Sequence, residues 1–195
     1  MLRDFKSGVI AVALLTVVFG LVLPAIFTGF AQVAFSHQAN GSLIKVDGNV
    51  VGSRLAAQAF TKPRYFHERP SATSPAYNAD GTTFANLGPT SGDLAKSIKT
   101  QAAAVLRLER PYNPGLTIHA IPIDAVTTSA SGIDPDISPA YAQLQAHRVA
   151  AVRHLPLATV EQLIRVHTDG RSFDFLGEPG VNVLELNIAL DKETL

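Results

Sequence analysis

The 195-residue chain contains no cysteine. Disulfide bonds, thiolate metal sites and thiol nucleophiles are therefore excluded. Neither sign of charge is in excess, because the chain has 16 lysines and arginines and 16 aspartates and glutamates. It also lacks a lysine-rich run and an acidic tail. A large electrostatic footprint for nucleic acid is therefore not expected, and no nucleic-acid partner is predicted.

Several short motifs that carry chemistry are absent as well. The sequence has no GxxxxGKS or GxxxxGKT, no GxGxxG that opens a helix, no HExxH and no GxSxG. These motifs are typical of nucleotide-binding loops, zinc proteases and α/β-hydrolases. Nothing in the sequence therefore predicts nucleotide binding by the chain itself, and no catalytic or metal-ligating residue is predicted.

Charge is missing altogether from residues 7–36, which read SGVIAVALLTVVFGLVLPAIFTGFAQVAFS. About 20 apolar residues span the hydrocarbon core of a bilayer, and a backbone in lipid must be helical. We therefore expect a transmembrane helix over 7–36. A cleaved signal peptide is one alternative, with a weak cleavage signal at Ala34-Phe35-Ser36, but its apolar core would be about 7–15 residues long. A buried helix of a soluble protein is the other alternative.

Two residues in this span suggest a packing face. Gly20 and Pro24 lie about one helical turn apart, and membrane helices tolerate proline. Small residues such as glycine allow a second helix to approach closely. We therefore expect the face that carries Gly20 and Pro24 to pack against a partner helix.

The charges that flank the span predict its orientation. Arg3 and Lys6 precede it, whereas the next basic residue after it is Lys45, apart from His37. Basic residues favour the cytoplasmic side. The expected organisation is therefore a cytoplasmic N-terminus at 1–6, the membrane helix, and a soluble extracytoplasmic domain at 37–195.

The soluble part predicts a mixed α+β domain, loosely α/β. Asp47-Gly48 between apolar residues is a strong signal for a two-residue hairpin. Thr159 and Gln162 have the spacing of a capping box. Residues 61–92 form a long segment rich in Pro, Ser, Asn, Gly and Thr, which is typical of an interaction surface. The expected helices cover 53–60, 91–110, 139–154 and 159–167, and the further expected strands cover 116–123 and 181–190.

The polar cluster His67-Glu68-Arg69 lies in this long segment. A metal site here would need distant ligands such as His119, and spaced histidine pairs are absent. A polar loop with weak local ion pairs is the simpler interpretation. A second interpretation is a ligand-binding module, whose pocket would be lined by His67, Arg69 and Asp134.

A second polar stretch, VTTSASGIDPDISP, holds three serines and two aspartates. A serine nucleophile needs a base within hydrogen-bond reach, so a membrane-anchored extracytoplasmic serine hydrolase that uses Ser129 or Ser131 is an alternative function. The simpler interpretation is a loop whose side chains bond to their own backbone. Ser138 with the proline after it would then cap the next helix.

Four motifs stand in order behind the membrane span. They are YFHERPSA at 65–72, NLGPT at 86–90, SGIDPDISP at 131–139 and FLGEPGVNVLELN at 175–187. Together they make the chain resemble the C subunits of the bacterial Kdp high-affinity potassium-transporting ATPase, over nearly its whole length.

The resemblance implies a complex in the bacterial inner membrane. The implied partners are a potassium-channel-like subunit, a P-type ATPase subunit and a small membrane peptide, and ATP hydrolysis drives potassium import. The catalytic aspartate would lie on the ATPase subunit, and this sequence has no DKTGT. The implied role is accessory: it helps assembly and raises the ATPase subunit's apparent affinity for ATP. No cofactor is expected on the chain alone, and ATP would act through the complex.

A domain outside the membrane cannot contact cytoplasmic ATP. Its effect on nucleotide affinity would have to pass through the partners as a difference in binding between two conformational states. The residues expected to serve the interface or the structure are Gly20, Pro24, Tyr65, His67, Glu68, Arg69, Pro70, Ser71, Asn86, Ser131, Asp134, Ser138, Arg148, Glu178 and Asn182.

Overall fold

The computed structural model describes residues 1–193. The chain forms two compact units, Met1–Leu43 and a second one that begins at Ile44. The mixture of helices and two small sheets confirms the α+β prediction, with one apolar N-terminal helix followed by a domain.

The first unit is an apolar helix of 33 residues, Leu2–Ala34. It is the one helix in residues 1–193 that is long and apolar enough to cross a membrane, and none of its residues is buried. The positions at which it enters and leaves a bilayer stay a prediction. Its parts are α1 (Leu2–Val17), a π-helical turn (Val18–Val22) and α2 (Leu23–Ala34), and the short α3 (Ser36–Ala39) follows.

The π-helical turn lies directly before Pro24. The N–H of Leu23 bonds to the carbonyl of Val18, five residues back, instead of four. Proline has no N–H and its ring crowds the carbonyl four residues before it, here that of Gly20. Widening one turn is a recognised way to accommodate such a defect in the ladder.

The second unit opens with a hairpin, as the sequence predicts. Strands β1 (Leu43–Val46) and β2 (Asn49–Ser53) pair across Asp47-Gly48. Both turn residues have positive φ, 51° and 81°, which is the requirement of a type I′ turn.

Two long helices also confirm the prediction. Helix α4 (Gly92–Glu109) begins where Ser91 Oγ accepts the Leu94 N–H at 3.4 Å. Helix α5 (Pro139–Arg153) begins where Ser138 Oγ accepts the Tyr141 N–H at 3.0 Å. Residues 61–91 between β2 and α4 contain one 3₁₀ turn, Ala79–Gly81, and otherwise no helix or strand.

The rest of the unit is a small antiparallel sheet and two further helices. The elements are β3 (Asp136–Ile137), α6 (Leu157–Val166), β4 (Thr168–Asp169), β5 (Gly180–Asn182) and α7 (Val183–Glu193). Strand β5 is central, with Ile137 of β3 and Thr168 of β4 both opposite Val181.

The core lies where α5, α6, α7 and this sheet meet. Its apolar members come from these elements, from α4, from the 3₁₀ turn at Ile123–Ala125 and from the loop before α4. The most completely buried are Phe66, Ala142, Ala146, Val149, Val160, Val181, Val183, Leu186 and Leu190.

The predicted helix at 53–60 is wrong. The chain turns at 54–56 and then runs without helix, because its hydrogen bonds go elsewhere. The Ala57 N–H bonds to the carbonyl of Ile133 at 2.9 Å, and the Gln58 side chain bonds to the Val51 carbonyl at 2.9 Å. A distant loop therefore provides the partner that an N–H in a helix would find four residues back.

The predicted strand at 181–190 is correct only for its first two residues. From Val183 the chain is helical, and the buried residues Val183, Leu186 and Leu190 recur at helical spacing. The apolar alternation over 184–190 obscured this second period. The signal that was missed is Asn182, whose Oδ1 accepts the Glu185 N–H at 3.2 Å as a helix cap.

Two smaller predictions are also wrong. Residues 116–123 form 3₁₀ turns at Ile118–Ala120 and from Ile123 instead of a strand. Helix α6 begins at Leu157, after Pro156, so Thr159 lies inside it and does not cap it. The Thr159 N–H bonds to the Pro156 carbonyl at 3.0 Å.

Candidate functional site

A buried arginine organises the most polar part of the domain. Arg148 on α5 is 0% exposed. Its Nε donates to Glu109 Oε1 at 2.8 Å and its Nη2 to Gln145 Oε1 at 2.8 Å. Its Nη1 donates to the carbonyl of Tyr65 at 2.8 Å and to that of Pro63. One guanidinium therefore joins the end of α4, the middle of α5 and the long loop, and within the domain Arg148 serves the structure.

Two amide side chains hold the next residues of that loop. Gln145 accepts the His67 N–H at 2.8 Å and donates to the His67 carbonyl at 3.0 Å. Asn187 on α7 does the same for Phe66, at 2.9 and 3.0 Å. The backbone of 66–67 is thus satisfied on both sides, as a strand would be in a sheet. We refer to residues 63–67 as the clamped segment.

A second arginine, Arg153 at the end of α5, holds the same segment and connects it to α7. Arg153 Nε donates to the Arg64 carbonyl at 2.7 Å, and its Nη2 bonds to Asp191 Oδ1 at 2.8 Å. The guanidinium carbon lies 5.0 Å from the centre of the Tyr65 ring. The Tyr65 hydroxyl donates to Asp191 Oδ2 at 2.9 Å. The clamped segment is therefore attached to α5 and α7 at every residue.

Burial perturbs the pKa of one acid and one base around this segment. It raises the pKa of Glu109, an effect that the Arg148 charge opposes. It lowers the pKa of His67 to about 4, with a further contribution from Arg148. The His67 imidazole is therefore neutral at pH 7, and its Nε2–H donates to the Lys62 carbonyl at 3.1 Å.

Glu68 directly follows the clamped segment. It is buried, and within residues 1–193 neither of its carboxyl oxygens has a hydrogen-bond partner. Burial raises its pKa well above the usual value, and the charges of Asp134 and Asp136 add to this. The backbone N–H of Gln58 opposes the rise without reaching hydrogen-bond geometry. The group is therefore held in its neutral form over a wider pH range than an exposed glutamate.

The loop after the clamped segment is joined to the second polar stretch. Ser71 Oγ donates to the Gly132 carbonyl at 2.6 Å and accepts the Tyr77 N–H at 3.0 Å. Arg69 Nη1 bonds to Asp134 Oδ2 at 2.9 Å. His67 is bonded elsewhere, so His67, Arg69 and Asp134 do not converge on one ligand pocket as the binding-module interpretation requires.

The serines expected of a hydrolase are occupied by backbone. Ser129 Oγ accepts the Gly132 N–H at 2.9 Å and Ser131 Oγ accepts the Ile133 N–H at 3.2 Å. Over the part of the chain that the structure describes, neither hydroxyl is bonded to a histidine. The arrangement favours the simpler interpretation, a loop that satisfies its own polar groups.

Some of the remaining candidate residues cap helices, and others lie at or near the surface. Ser138 caps α5 and also donates to Asp124 Oδ1 at 2.9 Å. Asn182 caps α7 and donates to Asp136 Oδ1 at 3.0 Å. Asn86 and Glu178 are exposed, and Glu178 pairs with Arg171 at 2.7 Å. Pro70 is half-buried beside the clamped segment, whereas Gly20 and Pro24 are exposed on the apolar helix.

Sequence reasoning missed the helix side chains that hold the loop. Gln145, Asn187 and Glu109 are almost fully buried polar residues. Gln145 and Arg148 lie three residues apart and therefore on one face of α5. Two polar residues on the face that also carries buried alanines were the available signal for an internal polar network.

The sequence matches a known protein family over nearly its whole length. A family profile described as "K+-transporting ATPase, c chain" matches residues 5–192. The potassium-transporting ATPase KdpC subunit of Methylococcus capsulatus is 48% identical over 98% of both chains. The subunits of the same name from Caulobacter vibrioides and Burkholderia vietnamiensis are each 50% identical, over 98% and 94% of this chain and 94% and 93% of the relatives.

These matches show that the chain is a subunit of a potassium-transporting ATPase, and an apolar N-terminal helix fits a subunit of a membrane transporter. More particularly, the chain belongs to the KdpC family. The resemblance carried by the four motifs is thereby confirmed.

Proposed function

We propose that the chain is a non-catalytic accessory subunit of an ATP-driven potassium uptake complex. In this proposal it stabilises the assembly and raises the ATP affinity of the ATPase subunit. The observation that supports it best is the use of the polar motif residues. Arg69, Ser71 and Asp134 lie in internal contacts that fix loops, Glu68 is buried, and the clamped segment is held at every residue. Such an arrangement suits a rigid binding surface better than a reaction centre.

The partners proposed are a potassium-channel-like subunit, the P-type ATPase subunit that carries the catalytic aspartate, and a small membrane peptide. The Leu2–Ala34 helix anchors the chain in the bacterial inner membrane, with the N-terminus in the cytoplasm. Gly20 lies within the π-helical turn before Pro24. Because it has no side chain, a partner helix can approach closely there. The candidate residues on that face and on the exposed loops, including Asn86 and Glu178, serve contacts, whereas the buried ones serve the fold.

An effect on ATP affinity must reach the nucleotide indirectly. With the domain outside the membrane, the chain acts by binding one conformational state of the complex more tightly than another. Such coupling is reciprocal, so ATP binding should in turn tighten the attachment of this chain.

The test is reconstitution with and without the chain. The full chain is coexpressed with the three partner subunits and purified in mild detergent. We expect stable copurification, and on omission we expect loss of potassium-stimulated ATPase activity or a raised KM for ATP. Independent behaviour of the chain, with unchanged ATPase activity, would overturn the proposal.

The orientation has its own test, because the chain has no cysteine of its own. Single-cysteine variants Leu2→Cys and Thr90→Cys are treated in intact spheroplasts with a maleimide that does not cross membranes. In intact spheroplasts we expect labelling of Thr90→Cys and no labelling of Leu2→Cys. After lysis we expect labelling of both variants. The reverse pattern would place the domain in the cytoplasm and would permit direct contact with ATP.

A further inference from the structure

The segment between β4 and β5 presents apolar side chains to solvent. Phe173 is 82% exposed, Phe175 72% and Leu176 50%. Single exposed apolar residues are ordinary on protein surfaces, but here three of four consecutive residues are apolar and exposed. Asp174, the fourth, lies between the two phenylalanines. We refer to Phe173–Leu176 as the aromatic tip.

The aromatic tip is held in an unusual backbone conformation. Ser172 and Leu176 exchange two backbone hydrogen bonds, both of 2.9 Å, which close the loop. Within it Phe173 has φ 53° and Asp174 φ 64°. A left-handed conformation is uncommon for a bulky aromatic residue, and such strain concentrates at functional positions.

The base of the loop is braced as well. Arg171 Nη2 pairs with Glu178 Oε2 at 2.7 Å, and its Nε donates to the Gly177 carbonyl at 3.0 Å. Gly177 has φ 84°, which glycine adopts without strain. The tip is therefore a closed structure that keeps two phenylalanines apart from the domain's own core.

We propose that the aromatic tip inserts into an apolar pocket, rimmed by lysine or arginine, on another protein subunit of the potassium-transporting ATPase. This inference rests on the proposed function, since it requires partner subunits. Aromatic side chains that fill a partner's pocket are the usual anchors of an interface. Asp174 between them supplies the charge that a basic rim would bind.

The charges of the tip argue for a protein pocket over a lipid surface. Segments that dip into a bilayer usually carry lysine or arginine, which anionic headgroups attract. Here the tip carries Asp174 as its one charged residue. Arg171 and Glu178 beside it are paired, so their charges offset each other. An anionic membrane surface would therefore repel this loop, and a basic protein surface would attract it.

The first experiment compares copurification of full-length chains with the partner subunits. The variant is Phe173→Ala/Phe175→Ala, and the matched control is Ile118→Ala/Ile123→Ala, which removes two exposed apolar side chains elsewhere in the domain. We expect the tip variant to bind at least ~30-fold more weakly while its unfolding transition in detergent stays unchanged. Asp174→Lys is expected to weaken binding in the same direction.

The outcomes separate this inference from the proposed function. If the wild-type chain itself does not copurify, the proposed function fails. If the wild-type chain and the tip variant copurify equally well, the aromatic tip is not the anchor and the inference alone is overturned. Equal weakening by the Ile118/Ile123 control would also overturn it, because the effect would then not be specific to the tip.

A second measurement tests the lipid and self-association alternatives. The chain contains no tryptophan, so Phe173→Trp introduces a single tryptophan whose fluorescence can be followed. The variant alone is reconstituted into vesicles with brominated phosphatidylcholine. We expect no quenching by the bromine atoms, and strong quenching would overturn the proposal in favour of membrane insertion. We also expect that two differently tagged copies of the chain do not copurify through the tip. Copurification that Phe173→Ala/Phe175→Ala abolishes would overturn the proposal, because the tip would then bind a second copy of the chain.

Discussion

Gln145 and His67 form two hydrogen bonds with each other, one from the His67 N–H to Gln145 Oε1 at 2.8 Å and one from Gln145 Nε2 to the His67 carbonyl at 3.0 Å. Seventy-eight residues separate them in the sequence. Asn187 forms the equivalent pair with Phe66. Two helices thus hold a loop by side-chain amides in the way that a neighbouring strand would hold an edge.

The first prediction concerns this clamp. Gln145→Ala removes both bonds to His67 and one to Arg148, which leaves buried backbone groups without partners. We expect the free energy of unfolding to fall by about 2–4 kcal/mol. Gln143→Ala, two residues away on the exposed face of α5, is the matched control and should change it by less than about 0.5 kcal/mol. Urea unfolding of the full chain in detergent measures both, and equal effects would contradict the assigned role.

The second prediction concerns pH. His67 has its pKa lowered to about 4 in the folded protein, from about 6.5 when unfolded. As pH falls from about 6.5 to about 4, the unfolded chain gains a proton at His67 that the folded chain does not. Folding is therefore destabilised on acidification, by an amount on the order of 3 kcal/mol.

His67→Gln lacks this contribution. The difference in unfolding free energy between the two proteins should therefore shift in favour of the variant as pH falls through that window. Urea unfolding at several pH values between 7.5 and 4 measures this difference. Parallel pH profiles for the two proteins would show that burial of His67 does not affect its protonation.

The third prediction concerns a glycine at the contact between the two polar loops. Gly132 has φ 73°, and a Cβ there would lie 2.9 Å from the Thr83 carbonyl oxygen and 2.8 Å from Thr73 Cγ2. Gly132→Ala should destabilise the domain by about 1–3 kcal/mol, through backbone strain and through this clash. Gly115→Ala is the control, because nothing lies within 4 Å of its Cβ position and its φ is not positive. Thermal unfolding measures both variants. An equal change in Tm for the two would argue against the close approach of Gly132 to Thr73 and Thr83.

The fourth prediction concerns the apolar helix. Gly20→Leu adds a side chain at the π-helical turn, where a Cβ has only Thr16 Cγ2 nearby at 3.9 Å, so the helix itself should tolerate it. Copurification with the partner subunits should nevertheless fall several-fold, because a partner helix could no longer approach closely. Ala25→Leu enlarges a different face and should copurify like the wild type. Unimpaired copurification of Gly20→Leu would remove this face from the interface.

Features that depend on local chemistry could be predicted from the sequence. The Asp47-Gly48 turn and the Ser138-Pro139 helix start each depend on a few adjacent residues, and both are confirmed. The 181–190 segment shows where local reasoning fails. Its leucines fit a period of two as well as a helical period, and Asn182 decides between them by capping the helix.

The contacts that organise the candidate site could not be predicted in this way. The hydrogen bonds between the clamped segment and α5 or α7 join residues 78 to 126 positions apart. No spacing rule on one sequence links Arg148 to the carbonyl of Tyr65. The four motifs nevertheless identified the family, because their order along the chain is specific even though the contacts of each residue are not visible in it.

The attachment of the clamped segment to α7 also governs the order of events during biosynthesis. Phe66 leaves the ribosome 121 residues before Asn187, a delay of roughly 6–24 s at ordinary rates of synthesis. Throughout that interval the backbone N–H and carbonyl of Phe66 lack the Asn187 amide that pairs with them. Maturation of the domain therefore waits for α7, and attachment to the pump is expected to follow synthesis of this helix.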